Sequence, residues 1–346
     1  MKSVRSFMIA LALGVVSSAC SSDDAASAAS GGAAGTAGKG GAAGSGGSAG
    51  SSGGGGTSGS TGVCTDASEC DDGDPCTTDT CDPAAGCKHA ASGSAGACTG
   101  SSVSELIVIW GESNAAGTAS NSPASAAELA PRPSVQILDN NTLAFADLDV
   151  GSNNNIDTGS NADSEHGLEL ELANQVDAGE LKSPVYLVKV GFGGARVQDW
   201  LPGGSKGYWN KLTSRMDAAT SALKAANTPY RITVWQSIGL NDLFSEWYDD
   251  RANTWKLFKA DLDAFKQAFR DKYAPNAPFV MQKFHDDSSW AFDWNFVFDQ
   301  EATEDPRVKT VDETGTTYWE QNVHWDYGGF KVLTPRFVKA TQTLWP

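Results

Sequence analysis

Short apolar runs alternate with amphipathic segments from Glu105 to the end of the chain. Four of the runs have the length of a strand and are bounded by Pro, Gly or Asn: Leu106 to Trp110, Pro184 to Val190, Tyr230 to Trp235 and Pro278 to Gln282. Continuous apolar runs of this length are typical of strands that are buried on both faces of a parallel sheet. The pattern therefore predicts four buried strands.

The segments between these runs carry apolar residues at helical spacing. One helix is predicted to begin at Ser164, a typical capping residue, with Leu168 and Leu172 on its buried face. Two longer helices are predicted over 208–226 and 252–273. Because strands alternate with helices, the predicted fold class is α/β, a doubly wound parallel sheet. Such sheets bind ligands beyond the carboxyl ends of their strands.

Composition divides the chain into two unequal parts. The first 102 residues hold all 7 Cys, none of the 11 Trp, and 4 Lys or Arg against 9 Asp or Glu. The other 244 residues hold every Trp, and 21 Lys or Arg against 33 Asp or Glu, so one large apolar core is predicted over 103–346. The net charge of −17 repels phosphate backbones, which argues against nucleic acid as a partner.

Residues 1–19 have the features of a signal peptide, with Lys2 and Arg5 before a short apolar run. Two processing routes are open: cleavage by signal peptidase after small residues, or lipidation of Cys20 at a lipobox in which Ser17 replaces the usual Leu. We predict the lipidated form, because an unmodified Cys20 would leave a free thiol in an oxidising compartment. The expected location is the cell surface or outer membrane as a lipoprotein, or otherwise the secreted fraction.

The segment over 20–62 is predicted to be a disordered linker. Residues 21 to 62 include 16 Gly, 10 Ala and 10 Ser, and such a composition cannot bury enough side-chain surface to offset the entropy of ordering.

A cysteine-rich module follows over 63–99. It has almost no large apolar side chains, so its stability is expected to come from three disulfides whose connectivity the sequence leaves open. The spacing does not match a zinc knuckle, and the acidic cluster at 71–74 lacks the pattern of a calcium loop. The string CDDGDPCTTDTCDPAAGCKH (70–89) resembles repeats of slime-mould and myxobacterial surface proteins, which implies a spacer or adhesion module. The six cysteines are Cys64, Cys70, Cys76, Cys81, Cys87 and Cys98.

Residues suited to acyl transfer follow three of the predicted strands and precede the last helix. Ser113 comes just after the first strand, Gly193 and Asn241 follow the second and third, and His324 lies near the C-terminus. A serine nucleophile needs a neighbouring base, and its oxyanion needs donors that are already in place. The sequence therefore supplies the groups that acyl transfer needs: a serine hydroxyl, an imidazole, and three candidate oxyanion donors in the N–H groups of Ser113 and Gly193 and the side-chain amide of Asn241.

Five sequence blocks between residues 104 and 343 resemble, in the correct order, the SGNH (GDSL-like) hydrolases, and within them the sialate O-acetylesterase and acetylxylan esterase group. The resemblance implies a flavodoxin-like sheet, a carbohydrate ester as substrate and no cofactor. It also implies that Ser113 is the nucleophile, His324 the base, and Gly193 and Asn241 the oxyanion donors. The blocks are IWGESNAAG (109–117), HGLELELA (166–173), VKVGFGGARVQDWLP (188–202), GLND (239–242) and NVHWDYGGFKVLTPRF (322–337).

The chain departs from this group at two positions. Glu112 stands where the group has Gln, which places a carboxyl beside the nucleophile. Gln321 stands where the family has its acid, three residues before the histidine, and an amide adds no charge to stabilise an imidazolium. Glu320 and Asp326 are the nearest substitutes, and the acid role is left unassigned.

The histidines and the glycines at 191–194 also allow other interpretations. His285, next to two aspartates, is a rival base, whereas His166 and Glu169 fit the start of a helix. The glycines at 191–194 do not complete a dinucleotide motif, because Arg196 occupies the position of the third glycine. The histidines also lack metal-ligand spacing, so no catalytic metal is predicted.

The leading hypothesis is an exported carbohydrate O-acetylesterase that acts on polysaccharide or sialic acid. The alternative is a non-catalytic glycan-binding or adhesion protein on a decayed esterase fold, and a lipase-like esterase or thioesterase is a third possibility. Trp200, Trp319 and Trp325 flank the site blocks, and one or two of them are candidates for a wall on which a sugar stacks.

Overall fold

The computed structural model describes residues 64–70, 77–91, 103–160, 163–244, 251–284, 292–320 and 323–345. Several predictions concern residues outside these ranges and stay predictions: the signal peptide 1–19, the lipidated Cys20, the linker 20–62, two of the cysteines (Cys76 and Cys98), His285 and Gln321.

The strands, in chain order, are β1 (Thr77–Asp82), β2 (Gly86–Ala91), β3 (Ser104–Gly111), β4 (Ala119–Ser120), β5 (Arg132–Leu138), β6 (Phe145–Leu148), β7 (Glu165–His166), β8 (Val185–Gly191), β9 (Tyr230–Ser237), β10 (Phe279–Gln282), β11 (Val308–Val311), β12 (Tyr318–Glu320) and β13 (His324–Trp325). The helices are α1 (Ser113–Ala116), α2 (Ala126–Leu129), α3 (Leu168–Asp177), α4 (Tyr208–Ala225), α5 (Leu240–Phe244), α6 (Arg251–Lys272), α7 (Phe292–Glu304) and α8 (Tyr327–Leu344). Short 3-10 turns lie at Ala67–Cys70 and Val197–Trp200.

Seven strands form the central sheet in the order β11-β10-β9-β3-β8-β5-β6. All neighbouring pairs are parallel except β5 and β6, which are antiparallel. The predicted α/β fold with a doubly wound parallel sheet is confirmed, and the antiparallel edge strand is an addition to it. β3 lies at the centre, and the chain continues to opposite sides of it, which creates a crevice at its carboxyl end.

The central strand is buried on both faces, as its continuous apolar run predicts. Leu106, Val108 and Trp110 of β3 belong to one core cluster, which also holds residues of α4, α6 and α7. Ile107 and Ile109 belong to the second cluster, which holds residues of α3 and α8. Helices therefore cover both faces of the sheet, and each of these buried side chains contributes roughly 1.5–3 kcal/mol relative to an exposed position.

The helix that was predicted to begin at Ser164 begins four residues later, at Leu168. Residues Glu165 and His166 instead form a short antiparallel pair with β4, and the carbonyl of Ser164 accepts a hydrogen bond from the N–H of Asn121 at 2.8 Å. A carboxylate oxygen of Glu169 accepts the N–H of Gly167 at 2.8 Å, so the helix is capped from its own first turn.

Among the described cysteines of the cysteine-rich module, two disulfides are formed, and the third predicted disulfide stays a prediction. Cys64 is bonded to Cys81 and Cys70 to Cys87. Cys81 and Cys87 lie opposite each other in the antiparallel pair of β1 and β2. Both bonds therefore link the segment that contains the turn at Ala67–Cys70 to the hairpin of β1 and β2. Within the described ranges, no helix combines the length and the apolar character needed to cross a membrane.

Candidate active site

Ser113 begins α1, two residues beyond the carboxyl end of β3. The chain can turn here because Gly111 has a φ of +142°, and a Cβ at this position would lie 1.8 Å from the carbonyl oxygen of Ser237. The next residue, Glu112, donates its N–H to the same carbonyl at 2.9 Å. The nucleophile candidate is therefore held against β9 by the backbone.

His324 lies in β13, and its Nε2 is 2.8 Å from the Oγ of Ser113. The two residues are 211 positions apart in the chain. The structure thus brings the predicted nucleophile and the predicted base into hydrogen-bond contact, which is the arrangement that a serine needs to lose its proton to imidazole.

Asn114 fixes the segment that carries the histidine. Its side-chain Nδ2 donates to the carbonyl of Val323 at 2.9 Å, and its Oδ1 accepts the N–H of Trp325 at 3.3 Å. These two contacts bracket His324 on both sides in the chain. No role was predicted for Asn114, although its position next to Ser113 in the first block is a signal that points to it.

Gly193 lies in the loop that follows β8, where it is exposed. The loop is anchored by the N–H of Phe192, which donates to the carbonyl of Gly111 at 3.1 Å. Just before it, a Cβ on Gly191 would lie 2.3 Å from the backbone nitrogen of Ala116. The loop that holds Gly193 therefore runs close beside α1, the helix that begins with Ser113.

Asn241 lies in α5, and its side-chain amide donates to the carboxyl of Glu112, the residue before Ser113. The backbone N–H groups of Leu240 and Asn241 also donate to this carboxyl, at 2.9 and 3.0 Å. Glu112 thus connects α5, which holds Asn241, to the segment that leads into Ser113. This carboxyl is a departure from the family's pattern, and its part in organising the site was not predicted.

Two buried carboxyl groups lie beneath the site. Burial raises the pKa of Glu112 to about 8, and the charge of Asp242 raises it further against the three N–H donors. Burial likewise raises the pKa of Asp242 to about 7, although both of its oxygens accept the N–H of Val197 at 3.2–3.3 Å. The raised pKa favours the protonated form of Glu112 at neutral pH, and this carboxyl accepts the hydrogen bonds that hold α5.

The acid partner of His324 stays unassigned. Glu320 pairs with His324 through the backbone of β12 and β13. Asp326 caps α8, because its Oδ1 accepts the N–H of Gly329 at 2.8 Å and the hydroxyl of Thr317. The carboxyl of Asp326 therefore stabilises the start of α8, two residues after His324.

The three tryptophans that were proposed as a sugar wall lie in different surroundings. Trp200 and Trp325 are fully buried, so for them the stacking proposal is wrong. Trp319 is 54% exposed, and its ring stacks on the imidazole of His324 with the centroids 5.2 Å apart and the planes at 18°. A cavity of about 630 Å³ opens beside Trp319.

A family model described as carbohydrate esterase, sialic acid-specific acetylesterase, matches residues 103–343 of the chain. A second model, of a Dictyostelium (slime mold) repeat, matches residues 69–91. The first match covers the whole central sheet together with the Ser113–His324 contact, and the second falls on the cysteine-rich module. No curated protein sequence matches the chain significantly.

Among solved structures, the X-ray structure of a protein from Arabidopsis thaliana matches with a TM-score of 0.56 at 16% identity, over 70% of this chain and 100% of that one. The crystal structure of NanS matches with a TM-score of 0.43 at 14% identity, over 70% of this chain and 98% of that one. The Arabidopsis match supports the fold, which these strands and helices had already defined.

Proposed function

Because the chain belongs to the carbohydrate esterase family of sialic acid-specific acetylesterases, we propose that it hydrolyses acetyl esters on carbohydrates with a serine nucleophile. The observation that carries this proposal is the 2.8 Å contact between the Oγ of Ser113 and the Nε2 of His324. An unrelated serine and histidine, 211 residues apart, have no structural reason to meet at the carboxyl edge of the sheet.

In the proposed reaction, His324 takes the hydroxyl proton of Ser113 as the oxygen attacks the acetyl carbonyl carbon. The tetrahedral oxyanion then accepts hydrogen bonds from the N–H of Gly193 and from the side-chain amide of Asn241. Collapse breaks the ester bond, and His324 returns the proton to the departing sugar oxygen. The acetyl group stays on Ser113 as an ester.

Deacylation repeats these steps with water. His324 removes a proton from the water molecule as its oxygen attacks the acetyl ester of Ser113, and acetate leaves when the serine regains its proton. Asn241 has two amide hydrogens, and Glu112 accepts a hydrogen bond from this amide, so the second hydrogen is the one proposed for the oxyanion. Every step uses groups of this chain, and none requires a cofactor.

Acetate release from acetylated xylan and from O-acetyl sialic acid tests the proposal. Wild type is expected to release acetate from at least one of them, and Ser113→Ala is expected to lose about 10³-fold or more in kcat. Ser221→Ala, a change on the exposed face of α4, serves as the matched control with unchanged activity. Equal activity of wild type and Ser113→Ala would remove the assigned mechanism.

The alternative function is glycan binding or adhesion without catalysis. It is favoured by Gln321, which replaces the family's acid, and by the cysteine-rich module that precedes the esterase domain. A fluorophosphonate probe separates the two functions, because covalent labelling of Ser113 requires an activated hydroxyl whereas sugar binding does not. Failure to label the folded protein, together with retained glycan binding, would favour adhesion.

We also propose that the protein is exported and anchored through a lipid on Cys20. The supporting features are the signal-like residues 1–19 and the linker-like composition of 20–62. The intact mass of the mature protein, compared with that of Cys20→Ser, gives the test. A mature N-terminus other than a modified Cys20 would contradict anchoring but not export.

A further inference from the structure

The cavity beside Trp319 combines the groups that sugars use in binding. Trp319 supplies an exposed aromatic face, and hydroxyl groups line the wall at Thr118, Ser120 and Ser164. Aromatic faces pack against the C–H faces of sugar rings, and hydroxyls exchange hydrogen bonds with sugar hydroxyls. Because Trp319 also stacks on His324, a sugar in this cavity lies next to the catalytic pair.

The charged side chains in the wall of the cavity are acidic. Glu165 and Asp326 line it, and among the described residues no Lys or Arg does so. The wall therefore carries negative charge and hydroxyl groups.

Two cations that interact with residues of this wall are already paired. Lys331 lies behind the lining residue Tyr327, where it donates to the phenol oxygen at 2.6 Å and pairs with Glu128 at 3.1 Å. Lys189 acts electrostatically on Glu165 of the wall, but it is buried and pairs with Glu169 at 2.7 Å.

Arg196, in the loop after Gly193, is a third cation that has partners. Its side chain lies 3.8 Å from the carboxylate of Asp199 and also contacts the amide of Gln198. Lys331, Lys189 and Arg196 thus already have anionic partners.

From this arrangement we propose that the site takes an uncharged acetylated glycan, such as an acetylated xylo-oligosaccharide, and discriminates against esters of sialic acid. A sialic acid carries a carboxylate, which is normally recognised by a guanidinium or ammonium group. In this cavity it would instead face Glu165 and Asp326. The inference rests on the proposed function, since it names the substrate class of the same site.

Equilibrium binding to Ser113→Ala tests the charge preference without chemistry. An uncharged xylo-oligosaccharide is expected to bind at least about tenfold more tightly than a sialylated oligosaccharide of similar size, and Glu165→Gln is expected to improve sialoside binding by about fivefold. Asp271→Asn removes the same charge from the exposed end of α6 and is expected to change neither affinity. Two results would overturn the proposal: tighter binding of the sialoside than of the xylo-oligosaccharide, or sialoside binding that is lost in Arg196→Gln.

Turnover separates this inference from the proposed function. Hydrolysis of p-nitrophenyl acetate by wild type and its loss in Ser113→Ala report on the esterase, whichever sugar is preferred. In Trp319→Ala, kcat/KM for the acetylated xylo-oligosaccharide is expected to fall by at least about tenfold more than kcat/KM for p-nitrophenyl acetate. An active enzyme that prefers O-acetyl sialic acid would refute the charge argument alone, whereas an inert wild type would refute the esterase.

Discussion

The side chain of Asn114 donates a hydrogen bond to the backbone carbonyl of Val323 at 2.9 Å, across 209 residues of chain. With its second contact, to the N–H of Trp325, it fixes the backbone on both sides of His324. The residue that follows Ser113, the proposed nucleophile, thus fixes the segment that carries His324, the proposed base. The alignment of Ser113 with His324 is therefore expected to depend on one amide, and this dependence can be measured.

Replacing Asn114 should reduce turnover more than it reduces stability. In Asn114→Ala, both hydrogen bonds to the His324 segment are lost, so kcat for p-nitrophenyl acetate is expected to fall about 10–100-fold. The free energy of unfolding is expected to fall by about 1–3 kcal/mol, because a buried carbonyl and N–H lose their partners. Asn210→Ala, which removes an exposed amide of α4, is the control. Unchanged kcat in Asn114→Ala would contradict the positioning role.

The contribution of Glu112 to the stability of the protein should fall as pH rises from about 5 to about 8. The folded-state pKa of Glu112, about 8, lies above its ordinary value of 4.5, so the folded protein retains a proton that the unfolded chain releases. Stability from this group is complete below about pH 4.5 and is lost as pH rises through 8, by roughly 1.4 kcal/mol per pH unit. Asp242, with its pKa raised to about 7, acts in the same direction.

Denaturant unfolding of wild type and Glu112→Gln across this range gives the measurement. The amide does not titrate, so the variant should lose less stability between pH 5 and pH 8, while Asp271→Asn should follow wild type. Parallel curves for wild type and Glu112→Gln would show that this carboxyl does not titrate as described.

The buried ion pair between Lys189 and Glu169 should be costly to break from one side. The two groups are 2.7 Å apart and almost fully buried, and Asn154 and Asn155 donate to or accept from them. Lys189→Met leaves an unpaired buried carboxylate and is expected to destabilise the fold by about 3–5 kcal/mol. The double variant Lys189→Met with Glu169→Gln is expected to recover part of that loss. Denaturant midpoints give the values, and a single variant as stable as the double one would contradict the coupling.

Peptide mapping without reduction should recover two specific cross-links from the cysteine-rich module. One joins Cys64 to Cys81 and the other joins Cys70 to Cys87, as in the structure. Removal of either bond is expected to destabilise the module by about 2–4 kcal/mol, because a module with so few apolar side chains has little other stabilisation. A peptide that links Cys64 to Cys70 would contradict this connectivity.

Much of the fold could be predicted from local patterns. The apolar runs at 106–110, 184–190 and 230–235 are strands because a strand that is buried on both faces is apolar at most of its positions. The strands β5 and β6 were not predicted, because one or both faces of these outer strands are partly exposed and the apolar pattern is broken. The start of α3 was predicted too early, because Ser164 does not cap a helix. Its carbonyl instead accepts a hydrogen bond from the N–H of Asn121.

By itself, the sequence determined the fold class and pointed to Ser113 and His324 as site candidates, because the first depends on period and the second on short motifs. The tertiary structure decided that Asn114 clamps the histidine segment, that Glu112 is buried beneath Asn241, and that Trp319 alone of three tryptophans is exposed. These relationships join residues brought together by the order of strands in the sheet. A local pattern reports whether a side chain is buried, and it carries no information about which distant residue it will meet.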